Sequence, residues 1–184
     1  DYPAGGRSYF DPVPETWLRM LEIIQYWMDL GVDGFRVDMA YFVPVEFYEW
    51  AIPQVREAHP DLLLIAEHYE TATYRDYIDR GGFDFVYDKV STYDSVRPLM
   101  SGIGEGRNVT NAWTRLADVQ SHMLRFLENH DEQRVAHYTD GNVWAAVPGM
   151  MVTATLGTGP IMLYFGQEVG EPGEGVEGFG GEDG

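Results

Sequence analysis

Three carboxylates and their neighbours carry the chemistry that this sequence can do. Asp38 closes the run Val32–Val37 within Gly31-Val-Asp-Gly-Phe-Arg-Val-Asp-Met-Ala40, Glu67 follows Leu62-Leu-Leu-Ile-Ala66, and Asp131 ends Asn129-His-Asp131 after Met123-Leu-Arg-Phe-Leu127. Each follows a short apolar stretch of the kind that makes a buried strand. Arg36 lies two residues before Asp38, so period-2 alternation points both to one side. A structural ion pair closing a strand is the plainer reading of Arg36 and Asp38. The recurrence of acids at successive strand ends argues for more. Asp38 and Glu67 are 29 residues apart, about one βαβ unit. Tips of adjacent parallel strands bring carboxyls to roughly 5 Å, the spacing at which one attacks an acetal carbon while the other protonates the departing oxygen. A third carboxylate nearby helps to keep one of them protonated near neutral pH.

The elements that must position these acids alternate. Trp17, Met20, Leu21, Ile24, Trp27 and Met28 recur at helical spacing after Asp11-Pro-Val-Pro-Glu, which supplies an N-cap and first-turn prolines, and Gly31 stops the helix. A strand is expected at Val32–Val37, and a helix over Val45–Ala58 with Pro53 as a kink. The strand Leu62–Ala66 is followed by a short helix at Thr73–Arg80 and a strand at Phe83–Tyr87. Beyond it come a helical stretch broken by Pro98 and Gly102, a second piece at Ala112–Val119, and the strand Met123–Leu127. A helix at Val143–Leu156 and a strand at Ile161–Phe165 complete the series. Strand-then-helix alternation with strands buried on both faces means an α/β fold with a parallel sheet and right-handed crossovers. An open doubly wound sheet and a (β/α)₈ barrel both satisfy it. Acids at the C-terminal ends of several strands favour the barrel. Five strands do not close one, so residues 1–184 read as the C-terminal part of a longer barrel, expected to be inactive by itself.

Composition narrows the partners. Thirty acidic residues against twelve basic ones give a formal charge of −18, which repels nucleic acid and anionic membranes and suits a neutral substrate. There is no cysteine and therefore no disulfide or thiol chemistry. The stretch from Gly141 to Gln167 is uncharged and long enough to span a bilayer, but Gly157-Thr-Gly-Pro160 cuts it, and Asp140 and Glu168 flank it where basic anchors belong. Gly173-Glu-Gly-Val-Glu-Gly178 matches a dinucleotide fingerprint in letters only, being acidic and opening no helical pattern. His68, beside Glu67, could line a cleft; His59, His122 and His137 lack metal spacing.

Taken together, the segments resemble the α-amylase family of retaining glycoside hydrolases and transglycosidases. Gly34-Phe-Arg-Val-Asp38 is similar to its nucleophile strand, and Glu67 after an apolar strand is similar to its acid/base segment. Phe126-Leu-Glu-Asn-His-Asp131 is similar to the segment of its third carboxylate, and Gly159-Pro-Ile-Met-Leu-Tyr-Phe-Gly-Gln-Glu168 to its last strand. Phe83-Asp-Phe-Val-Tyr-Asp88 sits where the sixth strand belongs, so the chain would hold strands four to eight. The resemblance implies Asp38 as nucleophile, Glu67 as acid/base and Asp131 as third catalytic carboxylate, with Arg36, Asn129 and His130 in the substrate-binding set. It implies hydrolysis of α-glucosidic bonds in α-glucans or oligosaccharides by double displacement. A transglycosidase of the same machinery and a catalytically dead binding barrel are the alternatives. The family's Asn-His pair after strand three is absent, so no metal site and no cofactor is assigned to this chain, with calcium possible in the full-length protein. Many starch-degrading members carry Lys-His where this chain has Tyr41-Phe42. Oligomeric state and compartment stay open.

Overall fold

The computed structural model describes residues 10–173, which fall into two compact units divided after Val86. In the first, α1 (Glu15–Asp29), β1 (Gly34–Val37), α2 (Val45–Ala58), β2 (Leu63–Ala66), α3 (Tyr74–Asp79) and the start of β3 (Phe85–Tyr87) follow one another. The helix α1 starts after Pro14 rather than from an Asp11 cap, and Pro14 offers no side-chain cap. Prolines at 12 and 14 bias the residues before them away from helical backbone, which delays the start. Pro53 lies inside α2 without ending it.

Strands β1 and β2 pair in parallel from Gly34↔Leu63 to Val37↔Ala66, and β2 pairs with β3 at Ile65↔Phe85 and Ala66↔Val86. Gly34 is required by close approach: a Cβ there would lie 2.0 Å from the Leu63 carbonyl oxygen. These three strands are shorter than the apolar runs that encode them, and each begins and ends within two residues of expectation. Leu64, Ala66 and Val86 are buried, as are Phe47, Tyr48, Ile52 and Val55 of α2 and Phe83, with Tyr48 and Phe83 edge to face at 4.8 Å. Burying a side chain such as Leu64 contributes about 1.5–3 kcal/mol. Among the described residues β1 has a strand partner on one edge only. Beside it a cleft of about 570 Å³ is lined by Trp17, Met20, Ile23, Trp27, Phe35 and Val37 and reaches Arg36 and Asp38.

In the second unit the backbone N–H of Asp88 donates to the Leu124 carbonyl at 2.9 Å, joining the end of β3 to β4 (Met123–Leu124). The expected strands Met123–Leu127 and Ile161–Phe165 shrink to β4 and a single parallel bridge, Arg125↔Ile161. Two bonds make that bridge, Arg125 N–H to Pro160 O at 3.0 Å and Met162 N–H to Arg125 O at 2.8 Å. Past Met162 the chain finds no further strand among the described residues, and Leu163 and Phe165 remain exposed. The helices also shift. Pro98 lies inside α4 (Asp94–Met100), which follows a π turn at Lys89–Tyr93. The next helix, α5 (Gly106–Arg115), starts six residues before the expected piece, and a 3₁₀ stretch takes up Ala117–His122. A short α6 (Val135–Tyr138) precedes α7 (Val143–Thr155), which Asn142 caps by accepting the Trp144 N–H at 3.1 Å. A Cβ on Gly149 would strike the Met100 sulfur at 2.0 Å, so glycine lets α7 lie against α4. Val96, Met100, Leu127 and Val135 form the core there. Among the described residues no helix is long and apolar enough to cross a membrane. Most of the fingerprint-like run Gly173–Gly178 lies outside the described residues.

Candidate active site

In the first unit the register that pairs Val37 with Ala66 sets Asp38 opposite Glu67, one interstrand spacing of about 4.8 Å away. One more backbone bond follows the strands, Glu67 N–H donating to Val37 O at 3.0 Å, and then the pattern slips by one residue, with Ala40 N–H donating to Glu67 O at 2.8 Å. Arg36 lies between the two acids. Its Nη1 donates to Asp38 Oδ2 at 2.7 Å and its Nη2 lies 3.1 Å from Glu67 Oε2. The surroundings of the acids differ sharply: the Asp38 side chain is 75% exposed and that of Glu67 only 4%. Buried Glu67 is fully engaged. Oε2 also accepts the Met39 N–H at 2.7 Å, and Oε1 accepts the Tyr69 phenol at 2.7 Å. Met39 reaches this position with a left-handed backbone, φ 42° and ψ 46°, which a residue other than glycine adopts at a cost of about 1–2 kcal/mol. In this conformation its N–H meets Glu67 Oε2.

Behind Glu67, His68 is wholly buried and lines no cleft. Its Nδ1 accepts the Glu70 N–H at 3.1 Å, and Nε2 lies 3.1 Å from Thr73 Oγ1. Thr73 Oγ1 donates to Glu70 O, so the proton belongs on Nε2 and the ring is neutral. Tyr41 stacks on it at 5.2 Å, and Tyr74 and Tyr77 meet it edge-on. Burial pushes its pKa down from 6.5 to about 4. Between those values the unfolded chain takes up a proton that the folded chain refuses. The stability it contributes is therefore complete above pH 6.5 and is lost as pH falls toward 4, by up to about 3 kcal/mol. Gln at this position can keep both bonds without titrating. Urea unfolding at pH 7 and pH 4.5 should show a larger loss for the parent than for His68→Gln; equal losses would rule out the neutral, buried imidazole.

In the second unit Asn129, His130 and Asp131 occupy one turn. Asn129 is buried, and its Oδ1 accepts the N–H groups of Asp131 at 2.8 Å and Glu132 at 2.9 Å. The amide oxygen thus holds the backbone that carries Asp131. His130 Nε2 lies 3.1 Å from Asp131 Oδ2, and both side chains are partly open to solvent. The same unit holds two buried ion pairs that the motifs did not reveal. Asp88 receives Arg125 Nε at 3.1 Å and the Thr92 N–H and hydroxyl at 2.9 and 2.6 Å. Glu128 receives Arg134 Nη1 at 2.9 Å and the Val135 N–H at 2.6 Å. The Asp88 and Glu128 positions at strand ends were the available signal. Tyr69 and Met39 had none, since neither residue type advertises a contact with an acid. The structure thus groups Arg36, Asp38 and Glu67 in one unit and Asn129, His130 and Asp131 in the other. Among the described residues no group of three or more His, Asp or Glu side chains is arranged to hold a metal ion.

Residues 13–180 match the model of the alpha amylase catalytic domain. The chain belongs to that family. Alpha-amylase MalA of Haloarcula japonica is 32% identical over 168 residues, covering 89% of this chain and 24% of the relative. An alpha-1,4-glucan:maltose-1-phosphate maltosyltransferase of Cereibacter sphaeroides is 24% identical over 180 residues, again 89% of this chain and 26% of the relative. Among solved structures, the cyclic alpha-maltosyl-(1→6)-maltose hydrolase of Arthrobacter globiformis superposes with a TM-score of 0.78 at 25% identity, covering 91% of this chain and 38% of that one. The same hydrolase is also described in complex with maltose. The chain spans about a quarter of the length of the two curated relatives. Its fold is part of a (β/α)₈ barrel, and its family comprises enzymes acting on glucans.

Proposed function

We propose that this chain is the C-terminal part, strands four to eight, of the catalytic barrel of a retaining α-glucan hydrolase. The observation that carries the reading is the shared guanidinium: Arg36 contacts Asp38 and Glu67 together, at neighbouring tips of paired strands. One-strand spacing matches the roughly 5–5.5 Å of a retaining pair better than the wider gap that admits a water in inverting enzymes. The exposed acid, Asp38, attacks C1. The buried one, Glu67, protonates the leaving oxygen and then takes a proton from water. Asp131 and His130 bind ring hydroxyls, contacts that strengthen as the sugar flattens. Asn129 serves that binding by holding their turn.

Transfer to a sugar acceptor is the second reading, and the similarity to a maltosyltransferase over 89% of the chain favours keeping it. One experiment on the full-length protein addresses both. Proton NMR of a maltooligosaccharide digest should show the α-anomer released first, and excess maltose should not divert the products into longer chains. A β-anomer released first would overturn the retaining assignment; elongated maltooligosaccharides would replace hydrolysis with transfer.

A further inference from the structure

Glu67 offers its two oxygens to different partners, and the difference decides where a transferable proton can sit. Oε2 already receives the Met39 N–H at 2.7 Å and faces Arg36 Nη2 at 3.1 Å. A proton there would point at two donors. Oε1 faces the Tyr69 hydroxyl at 2.7 Å, and a phenol can either accept a proton's hydrogen bond or donate its own. Of the two oxygens, Oε1 is therefore the better seat for a proton, because its neighbour can turn to suit one and the Met39 N–H on Oε2 cannot.

The phenol is not placed there by chance packing alone. Tyr69 is the middle residue of a loop that the His68 side chain closes, with Nδ1 accepting the N–H of Glu70 at 3.1 Å. His68 is itself wholly buried, stacked on Tyr41 and met edge-on by Tyr74 and Tyr77. Tyr41 also approaches the Tyr69 ring, with centroids 6.1 Å apart. The backbone on both sides of Tyr69 is thus anchored, and the hydroxyl is held at Oε1 before any substrate arrives.

We propose that Tyr69 is a positioning residue for the acid step, its phenol donating to the negative charge that develops on Glu67 Oε1 as the proton departs. The inference rests on Glu67 being the acid/base. In that step the Oε1 proton passes to the glycosidic oxygen. The bond from C1 to that oxygen breaks with its electron pair going to the oxygen, and an Asp38 carboxylate oxygen bonds to C1. The phenol keeps its own proton throughout. Its bond to Oε1 changes from one to a neutral acid into one to a carboxylate, and such charge-assisted bonds are about twice as strong. Only reactions that use the Glu67 proton benefit.

Tyr69→Phe in the full-length protein removes the hydroxyl and keeps the ring, so the contact with Tyr41 survives. It should lower kcat on maltooligosaccharides by about 10- to 100-fold, with KM within about twofold. Formation of the glycosyl-enzyme from α-glucosyl fluoride, whose leaving group needs little protonation, should stay within about twofold of the parent. Unfolding by urea should stay a single transition with an unchanged slope and a midpoint lowered by no more than one lost hydrogen bond, which separates a lost bond from a damaged fold. Glu67→Gln is measured alongside. If that variant also spares fluoride while losing maltooligosaccharides, and Tyr69→Phe shows the same selectivity more weakly, the proposal stands. A Tyr69→Phe loss equal on both substrates, or absent from both, overturns the role of the phenol and leaves Glu67 as acid/base. A Glu67→Gln loss equal on both overturns the acid/base reading, and the role of Tyr69 falls with it.

Discussion

Asp38→Asn in the full-length protein is expected to lower kcat on α-glucans by roughly 10⁴-fold while leaving sugar affinity nearly unchanged. Asn has the size and shape of Asp, and its Oδ1 can still accept the Arg36 Nη1 hydrogen that now reaches Asp38 at 2.7 Å. The side chain is three-quarters exposed, so little packing depends on it. What the amide lacks is a charged oxygen able to bond to C1. That interaction exists only on the way to the transition state, so its loss falls on kcat rather than on KM. A slow fluorinated α-glucosyl substrate should label the parent on the peptide that contains Asp38, read by mass spectrometry. Label on the Glu67 or Asp131 peptide would reverse the assigned roles.

How far the sequence could be read follows from what periodicity reports. Apolar runs ending in an acid reveal a strand and its tip, so Asp38 and Glu67 could be placed opposite one another from the letters, and the pairing of Val37 with Ala66 puts them there. Periodicity does not report which backbone groups pair. Ile161–Phe165 has the composition of a strand, yet only Ile161 bridges, because Arg125 is its one strand neighbour among the described residues. Pro98 suggested a break, yet α4 runs through it, since the prolines at 98 and 148 sit within helices whose lengths tertiary packing sets. The finer parts of the site were hidden for a related reason. His68 looked available for a cleft from its place beside Glu67, but strand alternation turns successive side chains to opposite faces, and here the second face is an aromatic cluster. Asn129 was legible as a motif letter and not as the acceptor that folds its own turn. Tyr69 depends on a loop conformation that no local pattern encodes.

The buried acid is distinguished from its neighbours by the substrates it serves. Gln in place of Glu67 can keep an oxygen toward the Met39 N–H and Arg36, and can turn its amide toward the Tyr69 hydroxyl, so the local fold should persist. It cannot give a proton. Maltooligosaccharides have poor sugar leaving groups, and Glu67→Gln should slow their cleavage by about 10²–10⁴-fold. Glycosyl-enzyme formation from α-glucosyl fluoride should proceed almost as in the parent. Water then lacks its base, so the glycosyl-enzyme should accumulate as a burst followed by slow turnover. Azide needs no base. Added azide should restore turnover on the fluoride and yield an α-glucosyl azide, two displacements giving net retention. Asp131→Asn provides the contrast, because an acid that binds ring hydroxyls matters equally for every leaving group. Its loss should slow glucan and fluoride alike, with no rescue by azide. Rates measured on both substrates, with and without azide, thus sort the two carboxylates. Equal losses for Glu67→Gln on glucan and fluoride, together with silence toward azide, would show that Glu67 is not the acid/base.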